Sequence, residues 1–244
     1  MKKTILATAV LAIFASSFAM AEEKKPDNEL SFNIGATTDY RYRGISQSGL
    51  DPALQGGADF VNNPTGLYAG TWLSTIKWVK DSGGGNKNVE VDLYAGKKGD
   101  IGGGFSYDVG GLYYWYPDNN LSTNANTFEL YGKVGYGPAY VKYSNALTNT
   151  FGVPDSKNSG YLDVGADVDL GSGYTLNLHA GHQMFKNNSN LSYTDYKIGV
   201  SKEFVGINFS LAGIGTDADK TLYRTPSGSF TGKTALVLTA TKTF

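Results

Sequence analysis

Leu162-Asp163-Val164-Gly165-Ala166-Asp167-Val168-Asp169-Leu170 alternates without a break, apolar at every even number and acid or glycine at every odd one. Successive side chains of a strand point to opposite faces, so this stretch has one apolar and one polar side. A helix would scatter Asp163, Asp167 and Asp169 over several faces. The same period of two recurs on either side. Leu30, Phe32, Ile34 and Ala36 begin it, followed by Leu54 to Phe60 and by Val89 to Ala95. Further runs follow over 101–113, 128–134, 139–144, 176–181, 195–200 and 207–211, and the last, 236–240, leads to Phe244. A less regular window assigns Tyr68, Trp72, Ile76 and Trp78 to the apolar side. The chain reads as twelve strands.

The links between them alternate in length. Short ones fall at 62–66, 98–100, 135–138, 171–173 and 203–206; long polar ones fall near 41–51, 80–88, 117–127, 145–160, 186–192 and 215–233. Short turns on one side and long loops on the other are the pattern of an up-and-down barrel of the outer-membrane type, with an even strand count and both termini in the periplasm. Composition agrees. The 244 residues include 32 glycines and 17 tyrosines, no cysteine, and a net charge of −1. Glycine is thus about 13%, nearly twice the usual ~7%. The charge balance makes no case for nucleic acid, and the absence of cysteine excludes disulfides and thiolate sites.

The N-terminus reads as a cleaved signal peptide over 1–21: Lys2 and Lys3, an apolar run from Thr4 to Phe18, then Ala19-Met20-Ala21 before Glu22. Its two lysines removed, the remaining chain carries −1 − 2 = −3. Residues 22–29 are expected to be a short periplasmic tail and 30–244 the barrel. No later stretch approaches the ~20 apolar residues of a spanning helix. Two architectures fit the alternation. In a soluble sandwich or lipocalin-like barrel the apolar side is the core; in a membrane barrel it meets lipid and the polar side encloses a lumen. Three features favour the membrane. Aromatics near strand ends (Trp78, Tyr113, Trp115, Tyr136, Tyr174 and Phe185) suit interface girdles. Twelve strands exceed what a lipocalin needs. Phe244, ending an alternating strand, has the character of a membrane-insertion signal, with Lys242 able to snorkel to headgroups. In hydrocarbon an open sheet edge leaves backbone groups unpaired, so the first and last strands must join.

The polar parity carries Asp59, Glu90, Asp92, Glu129, Lys133, Lys142, Asp163, Asp167, Asp195 and Lys197, the candidate lumen residues. Asp39, Arg41 and Arg43 are expected at the extracellular end of the first strand, on its inward parity, and read either as a charged constriction or as an ion-pair network holding the first loop. With Asp108, Asp169 and Lys77 added, ten inward acids face six bases, which predicts a mild cation preference. Inward glycines such as Gly57, Gly165 and Gly199 are expected to leave room. His179 and His182 stand three apart on a strand and point to opposite faces, so they cannot share a metal. His179 with Asp163 or Asp167 could form an orienting pair, although no hydrolase motif accompanies it. No cofactor and no catalytic residue are expected.

Several strings resemble one bacterial family. They are Thr38-Asp39-Tyr40-Arg41-Tyr42-Arg43-Gly44-Ile45-Ser46-Gln47, Pro52-Ala53-Leu54-Gln55-Gly56-Gly57-Ala58-Asp59-Phe60, Glu90-Val91-Asp92-Leu93-Tyr94 and Leu178-His179-Ala180-Gly181-His182. They resemble the TorF-type porins, and the likeness runs through nearly all of 22–244. It implies an outer-membrane β-barrel with porin activity and names no substrate. The expectation is therefore a twelve-stranded, all-β transmembrane antiparallel barrel passing small hydrophilic solutes by diffusion. Its partners would be the lipid bilayer, lipopolysaccharide, periplasmic chaperones and the barrel-assembly machinery. The alternatives are a closed structural or adhesive barrel and an outer-membrane lipid hydrolase.

Overall fold

A computed structural model describes residues 26–86 and 88–244; the signal-peptide reading lies outside the described residues. Twelve strands run in chain order: β1 (Asn28–Thr37), β2 (Ala53–Asn62), β3 (Leu67–Thr75), β4 (Val89–Gly102), β5 (Phe105–Trp115), β6 (Thr127–Tyr136), β7 (Ala139–Ala146), β8 (Gly160–Gly171), β9 (Tyr174–Met184), β10 (Tyr193–Phe204), β11 (Ile207–Thr216) and β12 (Ala235–Thr243). Each pairs antiparallel with its sequence neighbours, and β1 pairs with β12, so the sheet is a closed barrel. The closing register sets Asn33 against Thr243 and Thr37 against Thr239. Phe32 and Phe244 exchange both backbone hydrogen bonds, at 3.2 and 2.8 Å.

The parity sorts the side chains. Leu30, Ile34, Leu54, Ile198 and Leu236 are each 60% or more exposed, an outward belt that a water-soluble protein would bury. Asp163 and Asp167 of β8 turn inward, in register with Lys142 and Asn177, and Gly165 between them pairs with Tyr140 and His179. Trp115, Tyr136 and Tyr174 stand outward near strand ends, as girdle residues do.

Some expectations need correction. On β3 the parity is the reverse of that expected: Leu67 and Leu73 face out, while Tyr68 and Trp72 face in, the latter edge-on to Tyr40. Both rings carry a polar edge, so either solvent suits them. Ile76 lies beyond β3, and Trp78 opens a one-turn helix, α1 (Trp78–Asp81). Phe185 is buried under the long loops, so neither it nor Trp78 is a girdle residue. The turn expected at 98–100 lies inside β4. The chain reverses at Gly103-Gly104, both at positive φ, after a bulge at Asp100/Gly102. Asn28 and Glu29 belong to β1, not to a tail.

The inward glycines do not leave open space. Gly70, Gly96, Gly110 and Gly165 pair directly with Tyr94, Tyr68, Tyr131 and Tyr140, and a Cβ on any of them would lie within 2.6 Å of the opposing phenol. The tyrosine ring occupies the place a side chain would take. Gly199 abuts Ala212 in the same manner.

An Ile198→Arg substitution, in mid-strand on the outward belt, is expected to cost roughly 2–4 kcal/mol. Urea unfolding in phospholipid vesicles measures it; an unchanged midpoint would mean that Ile198 does not face hydrocarbon.

Candidate functional site

The lumen is organised by the segment between β1 and β2. Thr37 ends β1, so Asp39, Arg41 and Arg43 lie past the strand rather than on its inward parity. There Arg41–Tyr42 and Ile45–Ser46 form a two-stranded ribbon turned at Arg43 and Gly44, both at positive φ. Gly44 presses on the barrel wall: a Cβ there would lie 2.6 Å from Asp195 Cβ. The Ser46 amide donates to Thr231 O at 3.0 Å and the Lys77 amide to Gln47 O at 2.8 Å, so two other long loops hold the ribbon.

Side chains then pin it to the wall. Arg43 donates through Nη2 to Glu129 Oε2 at 2.7 Å and through Nη1 to Gln183 Oε1 at 2.6 Å. Its guanidinium lies over the rings of Tyr161, at 4.1 Å from the centroid, and Tyr42, at 4.7 Å. Burial works against the Arg43 charge, but Glu129 together with the Tyr42 and Tyr114 phenols outweighs it and holds the guanidinium above its ordinary range. Arg41 Nε donates to Asp39 Oδ2 at 2.6 Å, and Ser46 Oγ donates to Asp39 Oδ1 at 2.5 Å. The Tyr40 hydroxyl donates to Glu90 Oε1 at 2.7 Å. Burial, then the Glu90 and Asp92 carboxylates, push that phenol well above its usual range, which keeps it a donor.

Two apolar clusters pack around the ribbon at the long-loop end. One gathers Tyr40, Ile76, Val79, Tyr114, Tyr116 and Ala125, with Trp72, Trp78 and Phe151 against them. The other gathers Ile45, Phe185, Tyr193 and Ala218, with Tyr223 and Phe230. The first loop thus sits as a plug between two small cores.

The remaining candidates lie on the lumen wall. His179 is held between two carboxylates, Nδ1 to Asp163 Oδ1 at 2.8 Å and Nε2 to Asp195 Oδ1 at 2.7 Å. Tyr161 donates to Asp195 Oδ2 at 2.8 Å and Tyr140 to Asp163 at 3.2 Å. Both imidazole nitrogens are therefore occupied, and Asp167 bonds Asn177 instead, at 2.6 Å. His182 faces the other way, bonded to Thr194. Tyr94 donates to Asp59 at 2.5 Å. Lys133 and Lys142 lie over the rings of Tyr140 and Tyr131, at 4.1 and 4.0 Å. Lys197 pairs in register with His179 and is half-buried. Asp92 is buried, and its Oδ1 has no partner among the described residues. Lys77 is no lumen base, being exposed and paired with Asp51, and Asp169 is exposed beside the Ser172 turn.

Sequence reasoning missed the tyrosines. Tyr94, Tyr131 and Tyr140 sit among Glu90, Asp92, Lys133 and Lys142 on the polar parity, a placement that marks them as lumen donors. The inward fold of residues 38–52 carries no such periodic mark.

Residues 21–244 match the model of a family described as "Bacterial protein of unknown function (Gcw_chp)". That description names no porin, so the TorF-type resemblance is not confirmed by it. No curated protein matches the chain. Among solved structures, the chain is similar to the NanC porin, with 12% identity over 87% of this chain and 98% of that one, at a TM-score of 0.53. It is also similar to a protein from a study of in-meso crystallization of membrane proteins, with 7% identity over 88% and 83%, at 0.52. The outer membrane phospholipase A of Escherichia coli aligns at 14% identity over 88% and 89%, with a TM-score of 0.44. At such identities the likeness to the first two concerns the fold.

Removing the plug's main tie tests its role. Arg43 and Glu129 are 6% and 3% exposed, so Arg43→Ala leaves a carboxylate buried without its cation. The expected loss is roughly 3–5 kcal/mol in urea unfolding, with faster proteolysis inside 38–52. Unchanged stability and protease resistance would contradict the tie.

Proposed function

This chain belongs to the Gcw_chp family, whose description assigns no activity, and we propose that it is an outer-membrane channel for small hydrophilic solutes, closed at rest by its first loop. One observation carries the reading: the obstruction is a loop tied by side chains, while the wall beneath it stays polar and water-reachable. Tyr68, Lys98, Asp108, Tyr131, Lys133, Lys142, Asp167 and Asn177 are all half-buried, open to water in the half of the lumen nearer the short turns. On this reading the short turns lie in the periplasm and the long loops outside. Transport is diffusion, with no cofactor and no catalytic step. The bilayer, lipopolysaccharide and the barrel-assembly machinery are the partners, the last reading the terminal strand ending in Phe244.

The acid excess does not support a cation preference once burial is weighed. Glu90, Glu129 and Asp195 are 2% exposed or less. The water-reachable wall holds Lys98, Lys133, Lys142 and Lys197 beside Asp108, Asp163 and Asp167. The opened pore is expected to discriminate little between cations and anions, since rings of opposite sign offset each other.

A second reading, a permanently closed structural barrel, is favoured by the two apolar clusters around the plug. Planar-bilayer recording separates the two. The channel reading predicts rare, brief openings for the wild type and defined, frequent steps for Arg43→Ala, with a reversal potential near zero in a KCl gradient. Silence from both proteins, each folded by its mobility shift on heating, would leave the closed barrel standing.

A further inference from the structure

A cavity of about 210 Å3 lies in the lumen beneath the plug, between β1, β2, β3, β11 and β12. Its walls are of two kinds. Trp72 and Tyr40 form one apolar side, and Ile214 and Val237 the other. Ile214 and Val237 face inward in a lumen whose walls are otherwise mostly polar, and they join neither of the two clusters around the ribbon. Between the apolar sides runs a polar rim of Thr37, Gln55, Thr239, Arg41 and Asp39.

The rim has hydrogen-bonding capacity to spare in both directions. Arg41 gives Nε to Asp39 and Nη1 to the carbonyls of Gly44, Thr231 and Lys233, each at 3.0 Å. Its Nη2 has no partner among the described residues, although the side chain is 2% exposed. That nitrogen is itself closed off from solvent, so Arg41 shapes the rim through its other contacts and does not offer Nη2 to a ligand. Gln55 uses one hydrogen of its amide nitrogen, on Ser74 at 3.4 Å, so the second is left to donate and its carbonyl oxygen is available to accept. Thr239 donates to Thr37 at 3.0 Å and can still accept.

Charge narrows the ligand. Asp39 neutralises Arg41 at 2.6 Å, so the cavity carries no net charge with which to draw an anion or a cation. Size narrows it further. The cavity is smaller than the ~300–1,000 Å3 of pockets that hold drug-sized ligands, and suits a single ring. A neutral sugar ring meets both conditions: its C–H faces are apolar, and its rim of hydroxyls donates and accepts. Trp72, Gln55, Ile214 and Thr239 are half-buried, so each keeps surface open to water.

We propose that this cavity is a binding subsite for one neutral sugar ring, set between Trp72 and the Ile214–Val237 wall, with Gln55 and Thr239 bonding its hydroxyls. As a step in transport the subsite rests on the channel reading; as a binding site it does not. Glucose added to the folded barrel in detergent, followed by saturation-transfer NMR, tests it. A saturable signal is expected. It should weaken about tenfold in Thr239→Val and in Gln55→Leu, each of which removes one hydrogen-bonding partner, and should persist in Trp115→Leu on the outer wall. The mobility shift on heating confirms each variant's fold. No saturable signal in the wild type, or a signal indifferent to both lumen substitutions, overturns the subsite. Conductance without glucose binding overturns the subsite alone; glucose binding by a barrel that stays silent even as Arg43→Ala overturns the channel alone.

Discussion

In hydrocarbon a backbone N–H or C=O finds no water, and each one left unpaired costs several kcal/mol. A sheet in that medium must therefore close on itself, and every other feature of this molecule follows from the closure. The paired backbones of Phe32 and Phe244 join its two ends. Once the ring is shut, the pleat sends alternate residues to two different surroundings. Leu30, Ile34 and Ile198 go outward, and Asp163, Asp195 and His179 go inward. The inner surface then has to satisfy many polar groups in a confined space.

It does so chiefly with tyrosine. A phenol supplies an apolar ring to fill volume and a hydroxyl to meet a carboxylate. Across β3 to β8 the ring lies over a glycine on the neighbouring strand, while the hydroxyl reaches an acid, as in Tyr94 to Asp59 and Tyr140 to Asp163. The plug uses the same materials: Arg43 between two rings and two acceptors, Tyr40 on Glu90, and Asp39 shared by Arg41 and Ser46. The ribbon is tied to the wall by side chains and to two other long loops by backbone hydrogen bonds, while the wall strands run continuously around it.

Closure, strand number and the outward face were legible because they depend only on a period of two, which one chain displays by itself. The run 162–170 and its partner 174–184 needed no other information. Trp72 and Tyr68 were misplaced because amphipathic rings suit lipid headgroups and lumen alike, so hydropathy cannot choose between the faces. The turn at Gly103-Gly104 was missed because the bulge at Asp100 carries β4 past the glycine-aspartate pair that looked like a reversal. The pairing of His179 with Asp195 depends on the register of β9 against β10. The inward fold of Asp39, Arg41 and Arg43 depends on contacts with residues as distant as Gln183 and Thr231, which no local pattern announces.

The central claim is that one face of the ribbon touches acyl chains and the other encloses water. Two tryptophans stand on opposite sides of that division: Trp115 outward and 42% exposed, Trp72 inward against Tyr40. The direct measurement is fluorescence of two single-tryptophan proteins, one keeping Trp115 and one keeping Trp72, refolded into lipids brominated near the headgroup. Strong quenching of Trp115 with Trp72 left bright is the predicted result. Equal quenching of both, or quenching of Trp72 alone, would contradict the account.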